Sequence, residues 1–463
     1  MTGSSPLPAP SAALTKVFDH IAENQDGFVQ RVMDYVRHPS ISAQNIGIRE
    51  VAALLVGMLD KLGFAAETIP TAGHPMVLGR WDKAPGAPTV LLYGHYDVQP
   101  PDPLDAWVSP PFEPTIRDGR IYARGIGDNK GQHFAQLLAI ESHLAVHGRL
   151  PCNVIFLLEG EEEIGSPRIA DFVAQHRDKL KADFVVTADG PLHESGTPTI
   201  CYGVRGMACF ELRARHASRD VHSGNFGGVV PNPIWTLVHL LGTMKNAAGE
   251  ITIDGLADGV IPPTANELAA AARLPLDLDQ VKAGLGLDRL DAPAGRGYYE
   301  RLMFHPTLTI NGLHGGYGGA GSKTVLPHEA FAKCDIRLVE PMTPADVFDK
   351  VAAHVKRHAP EVEFVPGFGM LPSKTSLESP YGATIRRAIQ IAQGVTPLEY
   401  PAVGGSLPDY VFTKVLGIPA FVVPYANADE ANHAPNENLK LDCFVNGIRT
   451  GAALLDQLGR RES

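Results

Sequence analysis

The chain has 463 residues, of which 44% are hydrophobic and 20% are charged, and its formal net charge is -11 at pH 7. This composition is typical of a globular protein, and the length suffices for two domains. Because the charge is negative and the chain has no basic cluster, neither nucleic acid nor an anionic membrane is an expected partner. A small molecule is the expected partner.

The five cysteines indicate a reducing compartment, because they are odd in number, widely spaced and without a C-x-x-C pair. The N-terminus has no basic region followed by an apolar one, and no stretch reaches the roughly 18 apolar residues of a membrane helix. We therefore expect a cytoplasmic protein that does not bind membranes.

Helices are predicted near the N-terminus. Residues 1–14, rich in Ser, Pro and Ala, are expected to be disordered, and the helical spacing of apolar residues over 15–37 predicts a first helix. A second helix over 49–62 ends at Gly63, as helices often do, and a strand over 64–69 follows.

The next predicted strand, over 89–98, ends in polar residues. Its apolar run stops at His95 and Asp97 and is followed by two prolines, a pattern typical of a strand buried on both faces. In open α/β sheets, ligands bind at the carboxyl ends of such strands. This strand end is therefore a candidate site.

A glycine-rich loop over 125–131 precedes a predicted helix over 133–146 and carries Asp128. Taken alone, Asp128 in this position favours a helix cap. The spacing G-x-G-x-x-x-G, with no strand immediately before it, is not the dinucleotide-binding pattern. The alternative is that the loop brings Asp128 to the edge where the strands end.

Three further apolar strands end in polar residues: 153–158 before Glu159 to Glu163, 184–188 before Asp189, and 418–424 before His433. The four carboxylates after the first of these strands repel one another unless a cation lies among them. A lone histidine such as His433 is more often structural. We expect the four strand ends to converge.

Between residues 205 and 377 the pattern changes to β-α-β-β-α-β, which is the ferredoxin-like order. The predicted elements are strands over 208–214, 307–312, 331–339 and 362–365 and helices over 231–245 and from Thr343. We predict an α/β protein in which a catalytic domain, 15–204 and 378–463, has a mixed, mostly parallel sheet flanked by helices. A smaller α+β domain over 205–377 is inserted into it, with 246–306 as an irregular elaboration.

Histidines, several carboxylates and no clustered cysteines indicate a first-row divalent metal such as zinc, manganese or cobalt. One catalytic site with an open position needs fewer than the five candidate ligands, which are His95, Asp128, Glu163, Asp189 and His433. Two metals about 3.5 to 4 Å apart that share a carboxylate would use all five. A water between them has a lowered pKa, and a glutamate of the 159–163 run would take its proton during attack on a carbonyl.

Three other chemistries are not supported. The segment 404–408 resembles a nucleophile elbow but ends in proline and lacks the preceding strand. The segment 316–324 resembles a phosphate loop but has one residue too many before its lysine. No cysteine lies in a polar, glycine-rich turn, which argues against cysteine catalysis.

Together the motifs resemble the M20 family of metallopeptidases, most closely its dipeptidase branch, which includes carnosine and cytosolic non-specific dipeptidases. The resemblance runs from about residue 38 to the C-terminus. Each motif alone is weak, but the set is specific: Gly94–Asp97, Gly125–Gly131, Glu162–Ser166, Asp189–Gly190, Asp220–Gly224 and His433. The resemblance implies that His95, Asp128 and Asp189 hold one metal and that Asp128, Glu163 and His433 hold the other.

The same resemblance implies the catalytic roles. Glu162 would be the general base and later the general acid, and Asp97 would steady the ligand histidine and the base. His222, in a glycine-flanked turn of the inserted domain, would stabilise the oxyanion in the active site of a partner subunit. The resemblance thus implies a homodimer formed through this domain, which would also be the lid.

For substrate binding, the resemblance implies that Arg337 and Thr324 bind the C-terminal carboxylate and that Ser406 adds contacts. Arginine suits a carboxylate because its donors form a rigid fork. Arg337 also fits a surface ion pair on its strand. The glutamates at 159 and 161 and the stretch 246–306 depart from the family and leave the shape of the substrate pocket open.

We therefore expect a two-metal aminoacyl-dipeptidase that acts on small peptides, with zinc as the first choice of metal and manganese or cobalt as alternatives. A second hypothesis keeps the metals but takes N-acyl amino acids or carboxypeptidase substrates. The segments 323–327 and 335–339 favour the dipeptidase. A third hypothesis is a non-catalytic member, an amino-acid or peptide binder or a structural partner, whose signature would be the loss of the base or of a ligand.

Overall fold

The computed structural model describes residues 7–291 and 297–460. The chain divides into two compact units. The larger unit contains the described parts of Met1–Gly203, Thr375–Tyr400 and Val411–Ser463, and the smaller unit contains Val204–Lys374 and Pro401–Tyr410. Residues 401–410 therefore group with the smaller unit, although the sequence placed them in the larger domain.

Helices and strands alternate along most of the chain. The helices are α1 (Ala12–Glu23), α2 (Gln25–Val36), α3 (Ile48–Lys61), α4 (Lys130–His147), α5 (Ile169–Gln175), α6 (Ser223–Phe226), α7 (Pro233–Met244), α8 (Ala265–Ala272), α9 (Leu278–Leu285), α10 (Tyr298–Phe304), α11 (Pro344–His358), α12 (Pro380–Gln393) and α13 (Leu441–Leu458). The strands are β1 (Ala65–Ile69), β2 (Met76–Trp81), β3 (Thr89–His95), β4 (Thr115–Arg117), β5 (Arg120–Tyr122), β6 (Asn153–Glu159), β7 (Phe184–Thr187), β8 (Thr199–Cys201), β9 (Gly203–Val204), β10 (Gly206–Arg215), β11 (Val221–His222), β12 (Thr307–Gly315), β13 (Val325–Leu326), β14 (Glu329–Leu338), β15 (Glu363–Met370), β16 (Ser373–Lys374), β17 (Leu398–Tyr400), β18 (Ala420–Val422) and β19 (Asn438–Lys440).

The N-terminal helices differ from the prediction. The single helix predicted over 15–37 is two helices, α1 and α2, which are separated at Asn24. Helix α1 begins inside the segment expected to be disordered, because the Ser11 side chain accepts a hydrogen bond from the Leu14 N–H and caps the helix. Residues 1–6 of that segment lie outside the described residues.

The larger unit is built on an eight-stranded sheet with the order β1-β2-β6-β3-β7-β18-β8-β17. Strands β6, β3, β7 and β18 are adjacent and parallel, whereas β1 and β2 are antiparallel to their neighbours. Parallel neighbours present their carboxyl ends at the same edge of a sheet. The four strand ends singled out in the sequence therefore lie side by side, as predicted.

Helices flank this sheet. Val90 and Leu92 of β3 point into a hydrophobic core that also contains residues of α1–α4, α12 and α13. Tyr93 alternates with them and packs on Phe412, which lies in the π-helical segment Val411–Leu416, with 5.2 Å between ring centroids. The mixed, mostly parallel sheet between helices agrees with the prediction. No described helix is both long and apolar enough to cross a membrane.

The smaller unit contains a four-stranded antiparallel sheet with the order β12-β14-β10-β15. Along the chain the elements run β10, α7, β12, β14, α11 and β15, which is the β-α-β-β-α-β order predicted from the sequence. Buried residues of α7 and α11 share one core with the sheet. The lid role of this unit stays a prediction.

The stretch 246–306 is not an irregular elaboration, because it contains α8, α9 and α10. Each is only seven or eight residues long, and two of them depend on capping residues. Thr264 and Glu267 form a capping box at α8, and Asp277 caps α9. Residues 292–296, also within this stretch, lie outside the described residues.

Candidate metal centre

Residues that follow the parallel strands of the larger sheet form the candidate metal centre. His95 is the last residue of β3, and Asp189 comes shortly after β7. Glu163 lies in the short 3-10 turn Glu162–Ile164 after β6, and His433 lies in the loop that follows β18. All of them belong to the larger unit. The parallel arrangement thus brings four distant parts of the chain to one edge.

Asp128 joins this edge from the glycine-rich loop before α4. The N-cap residue of α4 is Asn129, so the helix-cap interpretation of Asp128 is wrong. His95 Nε2 lies 3.0 Å from Asp128 Oδ1 and 3.7 Å from Asp189 Oδ2. These three side chains could hold a metal ion.

Asp128 also belongs to a second group. His433 Nε2 lies 3.0 Å from Asp128 Oδ2 and 3.1 Å from Glu163 Oε2. In each of the two groups the possible ligand atoms lie within 4.8 Å of one another. The two oxygens of one carboxylate therefore face two different histidines, an arrangement suited to a two-metal site.

Carboxylates crowd this edge, and burial changes their pKa values. Burial, followed by the negative charge of Asp128, raises the pKa of Glu163 to about 7 and that of Asp189 to about 6. Burial also acts on Asp128, but hydrogen bonds with His433 and His95 hold its pKa below the usual value. A divalent cation would neutralise these carboxylates without bound protons, and imidazole and carboxylate are donors that zinc accepts. The donor set therefore fits a metal.

Asp97 is fully buried and supports both ends of this site. Its Oδ1 and Oδ2 accept hydrogen bonds from the backbone N–H groups of Glu162 and Glu163, at 3.2 and 3.1 Å. Its backbone oxygen lies 3.1 Å from His95 Nδ1, and its Oδ1 lies 3.4 Å from the same atom. Asp97 thus holds the ring of His95 and the turn that carries the two glutamates.

Glu162 occupies the first position of that turn. Burial raises its pKa well above the ordinary value, and although the charge of His95 opposes this, the charges of Asp189 and Glu163 reinforce it. A carboxylate with a raised pKa is a better proton acceptor near neutral pH. The position and the pKa of Glu162 therefore suit a general base.

Two other glutamates of the 159–163 run face elsewhere. Glu159 Oε2 accepts hydrogen bonds from the hydroxyl groups of Tyr93, at 2.7 Å, and Ser166, at 3.1 Å. Glu161 pairs with Arg168 at 3.2 Å. The predicted cation beside Glu161 is therefore Arg168, whereas Glu159 is held by hydroxyl groups without a cation.

Two residues that the sequence did not single out hold the loop of Asp128. Glu437 is fully buried, accepts hydrogen bonds from the N–H groups of Gly125, Gly127 and Asp128, and pairs with Arg124 at 2.7 Å. Asn129 Oδ1 accepts a hydrogen bond from the backbone N–H of His95, and its Nδ2 donates to the backbone oxygen of Ala188. These contacts tie the loop to the ends of β3 and β7 and to the segment after His433.

Glu430 is a third residue without an assigned role. It is 1% exposed, and neither of its carboxylate oxygens has a hydrogen-bond partner within the described residues. It packs close to the loop, because a Cβ added at Gly127 would lie 2.4 Å from Glu430 Oε2. Burial, followed by the charge of Asp128, raises its pKa well above the ordinary value. This unpaired buried carboxyl adds to the excess of acidic groups here.

The predicted oxyanion and substrate residues lie in the smaller unit. His222 ends β11, and its Nδ1 accepts a hydrogen bond from the Gly224 N–H at 3.0 Å. Its Nε2 lies 3.3 Å from Thr324 Oγ1. On β14, Arg337 Nη1 donates to Ser406 Oγ at 2.8 Å, and Arg337 Nε lies 3.3 Å from Asp335. Arg337 therefore has a carboxylate partner as well as a hydroxyl partner.

Comparisons with known proteins identify the family. The family described as "Peptidase family M20/M25/M40" matches residues 91–457. The Beta-Ala-His dipeptidase of Rattus norvegicus is 29% identical over 481 residues, which cover 98% of each chain. The Cys-Gly metallodipeptidase dug1 of Schizosaccharomyces pombe is 31% identical and is matched over 96% of this chain and 98% of its own length.

A solved structure extends the comparison to the fold. The M20 family metallo-carboxypeptidase Sso-CP2 from Sulfolobus solfataricus superposes with a TM-score of 0.88 at 35% sequence identity. The alignment covers 93% of this chain and 99% of that chain. The similarity therefore includes both units rather than a single shared domain.

Proposed function

The chain belongs to peptidase family M20/M25/M40 and is a metallopeptidase, a hydrolase acting on peptide bonds, and from this premise we propose that it cleaves dipeptides with two divalent metal ions. One observation carries the proposal. The two oxygens of Asp128 lie 3.0 Å from His95 and 3.0 Å from His433, so that one carboxylate can bridge two ions.

In this proposal, His95, Asp128 and Asp189 would hold one ion, and Asp128, Glu163 and His433 would hold the other. Zinc is the first choice, and manganese or cobalt would accept the same donors. Bound divalent ions supply Lewis-acid chemistry, since they lower the pKa of water and polarise a carbonyl oxygen. The excess of buried carboxyl groups, with Glu430 unpaired among the described residues, supports a cationic occupant.

Glu162 is the general base in this proposal. It takes a proton from the attacking water and returns it to the nitrogen of the departing amino acid, acting first as a base and then as an acid. Asp97 positions it by accepting the N–H of Glu162, and the same carboxylate lies next to His95. One buried aspartate would thus align the base with a metal ligand.

The substrate is recognised by residues of the smaller unit in this proposal. Arg337 and Thr324 bind the C-terminal carboxylate, Ser406 orients Arg337, and His222 stabilises the oxyanion in the active site of a partner subunit. The hydrogen bond between Arg337 and Ser406 supports the second role. Recognition of a free carboxylate explains why the cleaved amide bond would lie next to the C-terminal residue, a requirement that dipeptides share with N-acyl amino acids.

The smaller unit also carries features that support a homodimer. Strand β12 lies at the edge of its sheet, and Ile310 on this strand is 50% exposed. Trp235 on α7 is 60% exposed. Large exposed apolar side chains and an open edge strand favour association with another chain. Light scattering of the purified protein tests this proposal, and a monomer would contradict it.

A carboxypeptidase is the second candidate function. The observation that favours it is the similarity to Sso-CP2, a metallo-carboxypeptidase by its name. The Beta-Ala-His and Cys-Gly dipeptidases, which align over nearly the whole chain, favour the dipeptidase.

A substrate panel separates the candidates. The purified protein is given Xaa-Gly dipeptides, N-acetyl amino acids and peptides of four or more residues, and the products are identified by mass spectrometry. We expect cleavage of the dipeptides. Turnover of only the acylated compounds would contradict the proposal, and stepwise loss of C-terminal residues from the longer peptides would favour the carboxypeptidase.

A further inference from the structure

The smaller unit contains a group of polar residues, the arginine cluster, formed by Arg205, Asp335, Arg337 and the segment 404–406. Arg337 and Ser406 already have proposed roles, but Arg205 has none. Arg205 lies between β9 and β10 and is only 6% exposed. A buried guanidinium group is costly unless its donors and its charge are used.

Arg205 makes two hydrogen bonds with the segment 404–406. Its backbone N–H donates to the carbonyl oxygen of Gly405 at 3.0 Å, and its Nε donates to the carbonyl oxygen of Gly404 at 2.9 Å. Neither glycine lies in a helix or strand, and neither has a side chain to anchor it. Together with the backbone bridge between Val204 and Val403, these two hydrogen bonds position the carbonyl groups.

The next residue of the segment is Ser406, whose Oγ accepts a hydrogen bond from Arg337 Nη1 at 2.8 Å. A continuous chain of contacts thus runs from Arg205 through two glycine carbonyl groups to Ser406 and on to Arg337. A shift of the segment would move the hydroxyl group that orients Arg337.

The charges of the arginine cluster do not balance. Asp335 lies 3.3 Å from Arg337, and within the described residues Arg205 has no ion-pair partner. Burial, followed by the charge of Arg337, lowers the pKa of Arg205 to about 10. Two guanidinium groups and one carboxylate leave one positive charge in excess. An incoming carboxylate would compensate this excess.

We propose that Arg205 is a positioning residue for recognition of the substrate's carboxylate, because it places the segment 404–406 and thereby the Ser406 hydroxyl that orients Arg337. The proposal rests on the proposed function, in which Arg337 binds that carboxylate. It predicts that changes at Arg205 impair binding of a free carboxylate without altering the chemistry at the metal centre.

The test compares alanyl-glycine with its C-terminal amide. KM and kcat are measured for the dipeptide, and the amide is measured as a competitor by its Ki, so that turnover of the amide is not required. Arg205→Lys keeps the charge but cannot reproduce the hydrogen bond made by Nε. We expect KM for the dipeptide to rise about tenfold, with little change in kcat, metal content or the Ki of the amide.

Two further variants test the route through the segment. If Arg205 acts through Ser406, the double variant of Arg205→Lys and Ser406→Ala will have a KM for the dipeptide no higher than that of the worse single variant. Two substitutions in the same chain of contacts do not have additive effects. Gly404→Ala disturbs the same segment while residue 205 stays arginine, since the added Cβ would lie 2.8 Å from Leu302 Cδ1 and 3.3 Å from Arg205 Nη2. It should reproduce the selective rise in KM even if Arg205→Lys fails to fold.

The matched control is Arg213→Lys. Arg213 is an exposed arginine on β10 that pairs with Glu211 at 2.7 Å, and its replacement should change neither constant. Equal effects on the dipeptide and the amide, or additive effects in the double variant, would overturn the role of Arg205 while the dipeptidase function stands. If the wild-type protein does not cleave the dipeptide, the proposed function is wrong and the role of Arg205 falls with it.

Discussion

The candidate metal centre and the arginine cluster both bury charged side chains, but the charges in excess have opposite signs. At the metal centre, carboxylates are in excess, and burial raises the pKa of Glu163 to about 7 and of Asp189 to about 6. In the arginine cluster, guanidinium groups are in excess, and burial lowers the pKa of Arg205 to about 10. In each region the excess charge favours binding of a group of opposite charge. The larger unit is suited to cations and the smaller unit to an anion.

The largest expected effect is on kcat at the candidate metal centre, where one substitution can distinguish catalysis from metal binding. Glu162→Gln removes the base and keeps the shape of the side chain. We expect kcat to fall by roughly 100-fold to 10,000-fold, with the metal content unchanged. Steady-state kinetics together with elemental analysis check this. Turnover that survives the substitution would contradict the role of Glu162 as the base.

The second prediction is that Glu163, but not Glu161, binds a metal ion. Glu163→Gln should weaken the affinity for one of the two ions by at least about 100-fold, because even a residue that only supports a ligand contributes roughly 10-fold to 100-fold. Titration calorimetry with zinc measures both affinities. Glu161→Gln is the matched control, since Glu161 pairs with Arg168 and should leave both ions in place. If both variants lose the same ion, the division of the run is wrong.

At the arginine cluster, Arg337→Lys should raise KM for a dipeptide about tenfold and leave metal affinity unchanged. The expected reason is that a lysine cannot form the two-pronged contact with a carboxylate while it also reaches Ser406. Kinetics with alanyl-glycine and zinc titration check the two parts. If Arg337 serves only as an ion pair with Asp335, KM will not change.

The last prediction concerns stability rather than activity, at Glu159, a carboxyl that neither region uses. Burial raises its pKa from an ordinary value near 4.5 to about 8. Between these two pH values the unfolded chain releases the proton and the folded protein retains it, so the free energy of unfolding falls as the pH rises. The expected contribution is about 1 kcal/mol per pH unit.

Urea unfolding of the metal-free protein at a series of pH values measures that slope. Glu159→Gln should be less dependent on pH than the wild-type protein over this range, because glutamine does not titrate. Tyr93→Phe, which removes a hydrogen-bond donor to Glu159 but keeps the carboxyl, should retain the dependence. An identical slope in the glutamine variant would mean that Glu159 is already ionised in the folded protein.

The parts of the fold that could be predicted are those with a local signal. The strand that ends at His95 and the strand before Asp189 are continuous apolar runs of ordinary strand length, and both are present in the sheet. The break at Asn24 could not be predicted, because the helical spacing of apolar residues continues across it. The helices α8 to α10 could not be predicted, because they are too short to show a helical period.

The parts of the site that could not be predicted depend on contacts between distant residues. Glu437 accepts its hydrogen bond from Gly125 across 312 positions, and Arg205 reaches Gly404 across 199 positions. In the sequence each is one more charged residue beside a turn, where exposure to solvent is the ordinary expectation. A buried charge of this kind becomes visible only when the fold places its partners around it.

The most direct measurement is the metal content of the purified protein together with its hydrolysis of a small dipeptide panel. Both are measured before chelation, after chelation and after zinc or manganese is restored. We predict two metal ions per chain, loss of dipeptide cleavage on chelation and recovery on restoration, because Asp128 joins two sets of ligands. A protein that binds no metal, or whose activity is indifferent to chelation, would contradict a two-metal site at the ends of these strands.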